Sequence, residues 1–523
     1  RALFVCGFIL FVVGSFGLAP FLGRDFFPSV DAGQILMHAR TPVGTRIEET
    51  ADQFASIEKA IRDIVPAGEI ASIVDNIGFP VSGINLTYNT SGTVGTQDGD
   101  IQITLKEGHR PTSRYIRSLR EELPERFPGT VFSFLPSDIT SQILNFGAPA
   151  PIDLQIRGPN ETANFTYAQD LLRRLRHVPG LVDARIQQSR NRAGFNVDVD
   201  RSRAQYAGVT ERDVTNSLVV NLAGSSQVAP TYWLNPANGV SYPIVMQTPQ
   251  YQIDSLPALR NLPITAAGVP APQTLGGIAD ITRQPQDAVV SQYNIQTMVQ
   301  IYATTQGRDL GAVAADVQKI LDETASEVPK GTQVVLVGQV RTMNVAFAGL
   351  LFGLLGAVVL IYLLIVVNFQ SWSDPFVIIT ALPAALAGIV WMLFATNTTL
   401  SVPALTGAIM CMGVATANSV LVISFAKELL EQSGDAIGAA LEAGFVRFRP
   451  VLMTALAMVI GMMPMALGLG EGGEQNAPLG RAVIGGLVFA TIATLIFVPV
   501  VFSIVHRRRD RAIVPANGVS HAV

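Results

Sequence analysis

Apolar and polar segments divide the chain into six long apolar runs and one long polar stretch. The runs cover residues 2–22, 345–367, 375–395, 400–427, 451–469 and 482–505. A helix needs about 20 mostly apolar residues to cross the hydrocarbon core of a bilayer, so each run predicts a spanning helix. We therefore expect one spanning helix in residues 1–22, then an aqueous region, and five spanning helices within residues 343–506.

Strand and helix patterns alternate within the polar stretch in the order β-α-β-β-α-β, and this order occurs twice. Apolar residues recur at every second position in the strands and at every third or fourth position in the helices. The order predicts two ferredoxin-like α+β subdomains. We place the first at residues 23–150 and the second, in two pieces, at residues 151–187 and 291–342.

The interval between the two pieces of the second subdomain is rich in Pro, Gly, Asn and Gln. It covers residues 188–290 and contains short strand patterns and one helix pattern near 211–221. A structureless loop of this length is uncommon inside a compact domain. We therefore predict an inserted, mostly β module.

The ends of the apolar runs predict how the chain is oriented in the membrane. Basic residues cluster on one side if the helices alternate in direction, which makes that side cytoplasmic and the polar stretch external. Residues 428–446 alternate apolar and charged positions at helical spacing, so we expect an interfacial helix there. Residues 507–523 begin with an arginine-rich run and are expected to form a cytoplasmic tail.

The apolar run at 400–427 is unusual because it carries Thr406, Thr416, Asn418, Ser419 and Ser424 at the depth of the bilayer. One interpretation is close helix packing, in which small residues let helices approach and the polar side chains bond between them. The other is an ion path, which polar groups at this depth also indicate. No acidic residue lies in the middle of any run, so the chain by itself lacks the usual proton carrier.

Composition fits a protein that is partly embedded in a membrane. Hydrophobic residues make up 49% of the chain and the mean hydropathy is +0.37. The formal net charge of −4 gives no reason to expect a nucleic-acid partner. The two cysteines, Cys6 and Cys411, both lie in apolar runs and form no disulfide framework. Because Arg1 leads directly into an apolar run, we expect this chain to be a portion of a longer protein.

The sequence contains no pattern typical of an enzyme or a resident metal. The five histidines lie in separate contexts without ligand spacing, so we predict no metal site. Residues 470–473 are glycine-rich but lack the strand and the Lys-Ser/Thr pair of a phosphate loop. We predict a non-enzymatic protein without a cofactor.

Aromatic residues in the first external subdomain are candidates for ligand contact. Phe79, Pro80 and Ser82 open a loop rich in Gly, Asn and Thr, and Phe132 and Phe134 share one face of a predicted strand. Two aromatic residues on one strand face usually belong to a core. A hydrophobic ligand cleft is the alternative.

Four motifs in order along the helix plan carry a resemblance to a known family. They are FFPSVDAGQ (26–34), NFQSWSDP (368–375), GVATANSVLVISFAKE (413–428) and RFRPVLMTALAMVIGMMPMAL (447–467). With one helix, two split subdomains and five further helices, the chain resembles the C-terminal half of a resistance-nodulation-division (RND) efflux permease of the hydrophobe and amphiphile type.

This resemblance implies an inner-membrane homotrimer that exchanges protons for amphiphilic or hydrophobic compounds. Its implied partners are the N-terminal half of the same permease, a periplasmic adaptor protein and an outer-membrane channel, and its energy source is the proton motive force. The split units would be porter subdomains and the insertion a docking module facing the channel. The loop at Phe79 matches the family's switch loop in position, and Phe132 and Phe134 match positions near the substrate cleft.

The implied proton machinery transfers only in part. Asn418, Thr454 and Arg449 match relay positions of the family, and Thr416 belongs to the same polar group. Many members carry a lysine immediately before the asparagine, whereas this chain has Ala417 there. Arg449 also has an ordinary explanation as an anchor at a helix end.

Two alternatives to drug-type efflux are kept. A heavy-metal exporter of the same family would ordinarily bring Met or carboxylate clusters to the external cleft and an acidic residue to a membrane helix. A non-transporting scaffold or accessory of the same superfamily would keep the helix plan but lack proton coupling.

Overall fold

The structure is a computed structural model, and it describes residues 2–78, 95–145, 147–470 and 472–506. It separates into two compact units. One contains Arg1–Gln188 and Val290–Val523, and the other is Ser189–Val289. Helices and strands are numbered below in chain order.

The first external subdomain is a four-stranded antiparallel sheet in the order β2-β3-β1-β4. Alternate apolar residues of the strands pack against both helices, with Met37, Phe54 and Leu119 fully buried. It follows the first helix, α1 (Ala2–Phe16), and a short helix, α4 (Ile139–Leu144), comes after it. Its elements are β1 (Gln34–Arg40), α2 (Ile47–Ile64), β2 (Ile70–Ile77), β3 (Asp98–Leu105), α3 (Thr112–Arg126) and β4 (Val131–Leu135).

The second external subdomain repeats this strand order as β6-β14-β5-β15, with one extra strand, β13, paired with β14. Its core contains Ile152, Leu171, Ile301 and Val317, each almost fully buried. Its elements are β5 (Ile152–Arg157), α5 (Glu161–Leu175), β6 (Leu181–Ile186), β13 (Ser291–Tyr293), β14 (Gln296–Thr305), α10 (Leu310–Glu323) and β15 (Gln333–Gly338).

The second unit contains three two-stranded antiparallel pairs and four short helices around a small apolar core. Its first and last strands pair along their whole length, from Arg192 opposite Gln286 to Val199 opposite Ala279. The two ends of this unit therefore lie together. Its elements are β7 (Arg192–Val199), α6 (Arg201–Tyr206), α7 (Glu211–Ala223), β8 (Thr231–Leu234), β9 (Ser241–Ile244), α8 (Leu256–Arg260), β10 (Pro263–Ile264), β11 (Gln273–Thr274), α9 (Leu275–Ile278) and β12 (Ala279–Gln286).

Six helices of the described chain are long and apolar enough to cross a membrane. Two of them are interrupted: one between α12 and α13, and one by a π-helical segment, Ala493–Phe497. Besides α1, the spans are built from α11 (Gln339–Phe369), α12 (Ser373–Ile379), α13 (Leu382–Ala395), α14 (Val402–Ser433), α15 (Ala436–Ala466), α16 (Ala477–Ile492) and α17 (Val498–Val505).

Helix α16 is the centre of the helix packing because its glycines allow close approach. A Cβ at Gly485 would lie 2.2 Å from the Met392 Cβ, and one at Gly486 would lie 2.5 Å from the Cys411 Sγ. From the neighbouring helix, a Cβ at Gly407 would lie 2.8 Å from the Leu479 carbonyl oxygen. Small residues thus bring α13 and α14 against α16, as the packing interpretation of residues 400–427 expects.

The interfacial helix expected at residues 428–446 is not a separate element, and this prediction is wrong. The first part of that range is the end of α14, which stops at Gly434 in a left-handed conformation (φ 67°). The Asp435 carboxylate then caps α15 by accepting a hydrogen bond from the Ile437 N–H at 2.9 Å. Helix α15 continues without interruption to Ala466, so its amphipathic start and its apolar run form one helix.

Candidate functional site

The spanning helices bring Asn418 and Thr454 together, as the resemblance implies. Asn418 lies in the middle of α14 and is 5% exposed. The Thr454 hydroxyl, on α15, lies 3.3 Å from the Asn418 Oδ1 and 2.9 Å from the Val451 carbonyl oxygen. A hydroxyl has one hydrogen to donate, so these two acceptors share it. The pair is a polar contact between two spanning helices.

The other two relay candidates do not join this pair. The Thr416 hydroxyl donates to the Met412 carbonyl oxygen of its own helix at 2.8 Å. Arg449 is exposed, and within the described residues no hydrogen bond or ion pair joins it to Asn418 or Thr454. Ala417 is also exposed, and a Cβ at Gly413, one turn earlier, would meet nothing within 4 Å. The side of α14 that carries the missing lysine position is therefore open in this chain.

Helix α14 makes a second polar contact, of which the sequence indicated only one partner, Ser419. The Ser419 Oγ lies 2.8 Å from the Thr494 Oγ1, and both side chains are fully buried. Thr494 belongs to the π-helical segment, and π-helical turns are frequent at functional sites. A threonine in the middle of an apolar run is the signal that would have pointed to it.

No acidic residue lies in the middle of an apolar run, but Asp374, a residue that can change charge, lies at the end of one. Asp374, the second residue of α12, is 1% exposed. Its Oδ1 lies 2.9 Å from the His506 Nε2, and its Oδ2 lies 3.5 Å from the Lys427 Nζ. His506 does have a charged partner, although its sequence context gave no sign of one.

A cleft of about 620 Å³ lies between the two external subdomains, close to the start of the second spanning helix. The segment after the first spanning helix, helix α3 and the end of β4 form much of its lining, together with the start of α10. Representative lining residues are Phe26, Phe27, Ile116, Arg117, Phe134 and Glu474. The mixed apolar and charged lining is suited to an amphiphilic ligand.

Phe134 and Phe132 both belong to the buried core of the first subdomain, at 7% and 8% exposed, but only Phe134 also lines the cleft. Phe134 lines the cleft, and the Arg120 guanidinium lies 4.8 Å from the centre of its ring. Phe132 packs in the core of the first subdomain, where its ring meets Phe127 edge-on. Phe79, Pro80 and Ser82 lie outside the described residues.

Three of the carboxylates in the cleft accept hydrogen bonds from backbone N–H groups. Asp25 accepts from Leu310 at 2.8 Å, Asp31 from Thr112 at 2.9 Å, and Asp138 caps α4 through Ser141 at 2.7 Å. Burial raises the pKa of Asp25, and its hydrogen bonds only partly offset this effect. Arg117 and Glu474 are exposed and have no hydrogen-bond or ion-pair partner among the described residues.

An ion pair joins the subdomains at the edge of this cleft. Arg120, on α3, makes two parallel contacts with the Asp183 carboxylate on β6, at 2.8 and 2.7 Å. The same carboxylate accepts the Phe134 N–H at 3.1 Å. Asp183 has a left-handed backbone (φ 56°), which Asp tolerates better than most residues. Both subdomains thus meet where Phe134 faces the cleft.

No group of three or more His, Cys, Asp or Glu residues that could hold a metal ion occurs within the described ranges. Three methionines that lie close together in the sequence, Met462, Met463 and Met465, belong to α15 and do not line the cleft. The described cleft therefore presents single charges and aromatic rings, not a preformed cage for a cation.

Comparison with known proteins gives one family and a consistent set of relatives. The AcrB/AcrD/AcrF family matches residues 1–506. The cobalt-zinc-cadmium resistance protein CzcA of Cupriavidus metallidurans is 26% identical over 504 residues, which are 95% of this chain and 46% of that protein. The cation efflux system protein CusA of Escherichia coli (strain K12) is 28% identical over 510 residues, which are 94% of this chain and 47% of that protein.

A solved structure shows the same fold over almost the whole chain. The crystal structure of a heavy metal efflux pump matches with a TM-score of 0.80 at 25% identity, covering 97% of this chain and 50% of that one. The chain thus spans about half the length of the relatives it matches.

Proposed function

The chain belongs to the AcrB/AcrD/AcrF family of RND efflux permeases, and on this premise we propose that it is one half of an exporter driven by the proton gradient. RND permeases are multi-pass transporters of the inner membrane with a large periplasmic domain, and they are not enzymes. The observation that carries the proposal is the cleft of about 620 Å³ between the two periplasmic subdomains. The last strand of the second subdomain, β15, continues directly into the spanning helix α11.

Proton coupling is assigned to the contact between α14 and α15. Asn418 and Thr454 supply hydrogen-bonding groups there, but neither changes charge between pH 5 and pH 8. The charge carrier is therefore placed in the other half of the permease, against the open side of α14 at Ala417. Without a lysine at that position, a carboxylate there lacks one source of stabilisation for its ionised form.

Two cargo classes have different support. The relatives are named for cobalt, zinc and cadmium resistance and for cation efflux, which favours a heavy-metal cation over the amphiphile expected from the sequence. The cleft favours an amphiphilic or hydrophobic compound, because Asp25, Asp31 and Asp138 are already held by backbone N–H groups. A metal ion would have to displace those hydrogen bonds or use ligands from outside the described residues.

The cargo test is resistance conferred by the full-length permease in a host that lacks its own RND exporters. Cobalt, zinc and cadmium salts are compared with ethidium and a bile salt. Phe134→Ala is expected to lower resistance to the amphiphiles and not to the metals, since only the amphiphiles use the aromatic ring. Phe132→Ala, the same truncation at the other aromatic residue of this buried core, is the matched control. Metal resistance alone, unchanged in Phe134→Ala, would reject the amphiphile as cargo.

The test of the proton relay compares variants at the contact between α14 and α15 with a variant of a threonine outside that contact. Thr454→Ala and Asn418→Leu are expected to reduce proton-driven efflux, because both remove the contact between α14 and α15. Thr406→Ala removes only a bond within α14, from its hydroxyl to the Val402 carbonyl oxygen, and is the control. Efflux in proteoliposomes with an imposed pH gradient also separates a transporter from a non-transporting scaffold. Wild-type efflux rates in both variants would reject the relay.

The partners implied by the family are proposed for the inserted module. Its hairpin of β8 and β9 carries exposed aromatic side chains, among them Tyr232, Trp233 and Tyr242. Exposed clusters of this kind mark protein contacts. We assign the hairpin to contacts within a homotrimer or with the adaptor and outer-membrane channel. Cross-linking from Trp233→Cys in the full-length protein tests this, with exposed Tyr206→Cys as control.

A further inference from the structure

Three spanning segments place ionisable side chains together at the end of the bundle opposite the periplasmic subdomains. Helix α11 leaves β15 at Gln339 and ends at Phe369, and Asp374 follows at the start of α12. Lys427 lies near the end of α14, and His506 follows the last residue of α17. These are cytoplasmic ends, because the subdomains at the other end are periplasmic.

The position of His506 determines where a proton must be. Its Nδ1 lies 3.2 Å from the Phe502 carbonyl oxygen, and its Nε2 lies 2.9 Å from the Asp374 Oδ1. A carbonyl oxygen can only accept, so Nδ1 carries a hydrogen. The Nε2 then faces a carboxylate oxygen, and that contact is attractive only when the pair carries one further proton. Either the imidazole is doubly protonated or Asp374 is a carboxylic acid.

Burial makes this proton energetically important. Asp374 and His506 are 1% and 4% exposed, and within the described chain neither Asp374 oxygen accepts a hydrogen bond of good geometry. A buried carboxylate without such bonds costs several kcal/mol unless a counter-charge or a proton neutralises it. Lys427, 3.5 Å away, supplies one counter-charge and is itself partly exposed. Its Nζ also donates to the Phe369 carbonyl oxygen at 3.2 Å.

We propose that Asp374 and His506 form a shared proton-binding site that releases protons to the cytoplasm, with Lys427 balancing the charge of Asp374 after release. This assignment rests on the proposed proton-driven function and adds an exit step to it. With the proton bound, the pair is imidazolium and carboxylate, or imidazole and carboxylic acid. The released proton goes to cytoplasmic water, and the pair keeps one negative charge, which the Lys427 ammonium balances.

The site is linked to the relay through continuous structure. Lys427 lies eight residues beyond Ser419 on α14, about 12 Å along the helix. Ser419 contacts Thr494 in the π-helical segment, which leads into α17 and His506. Loss of the shared proton turns the Asp374–His506 contact repulsive and pushes the end of α17 away from α12. A change at the exit therefore reaches the segment that touches α14 beside Asn418.

The other charged side chains that the structure describes at this end form no ion pair with Asp374. Glu428, Glu431 and Asp435 follow Lys427 along the chain, and Glu442, Arg447 and Arg449 lie on α15. Arg447 stacks on Phe425, with its guanidinium 4.8 Å from the ring centre. Among the described residues, Lys427 and His506 are the only ion-pair partners of Asp374. The only charged side chain of α11, Arg341, lies at its other end.

The first experiment needs no cargo. Infrared difference spectra of the full-length permease are recorded between about pH 5 and pH 8, the range in which imidazole side chains in general change charge. We expect one proton-linked change that alters carboxyl and imidazole bands together and disappears in both Asp374→Asn and His506→Gln. The double variant Asp374→Asn with Lys427→Met removes both charges of this ion pair. It replaces Asp374→Asn in the experiment if that single variant folds poorly. Bands that titrate independently, or no titration at all, would overturn the shared site.

The second experiment tests coupling in proteoliposomes with ethidium or Co²⁺, whichever the wild type moves. His506→Gln is expected to lower pH-driven efflux at least about tenfold, as loss of a proton-transfer group does. Downhill exchange of the same compound should persist, which a folding defect would not allow. Glu431→Gln, an exposed carboxyl on the same helix as Lys427, is the control. Full pH-driven efflux in His506→Gln rejects the exit step, whereas a wild type that moves neither compound rejects the proposed function and the coupling with it.

Discussion

The two periplasmic subdomains have the same strand order but differ in the connection between their second and third strands. In the first subdomain, Ile77 and Asp98 bound this connection. In the second, the same connection contains the separate unit Ser189–Val289. Strands β2 and β6 each pair on one side within their sheet, so a connection leaving them need not disturb the other pairs. This connection is therefore where the fold accepts an inserted unit without losing the core of its sheet.

Removal of the inserted unit is the strongest test of this comparison. Its ends are adjacent, since the Ala288 N–H donates to the Ser189 carbonyl oxygen at 3.0 Å. A full-length variant in which a short Gly/Ser linker replaces residues 190–288 should therefore reach the membrane with both sheets folded. Resistance should fall to the level of cells without the permease, because docking is lost. Retained resistance at normal membrane levels would show that the unit has another role.

Periodicity predicted the elements that depend on local pattern. Helix α2 (Ile47–Ile64) and strand β5 (Ile152–Arg157) each bury one regularly spaced apolar face, and this spacing is what predicted the two β-α-β-β-α-β subdomains. The insertion was located from the interruption of the second subdomain's pattern and from the composition of the interval, and the separate unit is Ser189–Val289. The pairing of β7 with β12 could not be predicted, since it joins strands about eighty residues apart whose pattern does not name a partner.

The candidate sites show the same difference. Contacts between consecutive helices can be anticipated from the sequence, whereas contacts between residues far apart in sequence depend on the fold. The family resemblance names Asn418 and Thr454 as relay positions, a role that stays a prediction, and their contact follows from the packing of two consecutive helices. Asp374 and His506 are far apart in sequence, and neither context indicates the other. Phe132 and Phe134 share a strand face, so the sequence pattern does not distinguish them. The cleft reaches Phe134 but not Phe132, whose ring contacts Phe127.

The ion pair between the subdomains should have the next largest effect. Arg120→Met leaves the Asp183 carboxylate, whose side chain is 3% exposed, without its charge partner. Such a loss costs about 3–5 kcal/mol for a buried pair. We expect a clearly lower Tm of the purified permease. A double-mutant cycle with Asp183→Asn should show that the two effects are not additive. Additive effects would mean that the pair does not join the subdomains.

A smaller effect is expected from Asp153 in the second subdomain, and it depends on pH. Burial raises the pKa of Asp153 to about 6 from an ordinary value of 3.8. Between these values the folded state keeps a proton that the unfolded state releases, so stability falls as pH rises and the loss is complete above about pH 6. Asp153→Asn should remove at most about 3 kcal/mol of this loss at pH 7. Its Tm should therefore exceed that of the wild type at pH 7 and equal it near pH 4.

The first subdomain has a matching carboxyl that serves as a comparison. The pKa of Asp75 is raised to about 7, by burial first and then by Glu58. Asp75 is only half-buried, so solvent screens its interactions and Asp75→Asn should change the Tm less than Asp153→Asn does. A larger change for Asp75 would show that the neighbouring Glu58, and not burial, controls the pH dependence.

The smallest expected difference concerns two buried polar residues at the same position of equivalent helices. Thr50 is the fourth residue of α2 and Asn164 the fourth of α5, and both are fully buried. The Thr50 hydroxyl donates within its own helix, to the Arg46 carbonyl oxygen at 3.0 Å. Asn164 instead joins separate segments, since it donates to the Gly158 carbonyl oxygen at 3.1 Å and accepts from the Thr332 hydroxyl at 2.7 Å.

Asn164→Leu should therefore destabilise the permease by about 1–3 kcal/mol, because it leaves the Gly158 carbonyl and the Thr332 hydroxyl without this partner. Thr50→Val keeps the side-chain volume and removes only a bond within one helix turn, so its cost should stay below about 1 kcal/mol. The measurement is the Tm of each purified full-length variant. Equal shifts would mean that Asn164 holds no more of the second subdomain together than Thr50 holds of the first. The larger shift for Asn164 would place the difference between the subdomains in their buried polar contacts as well as in their connections.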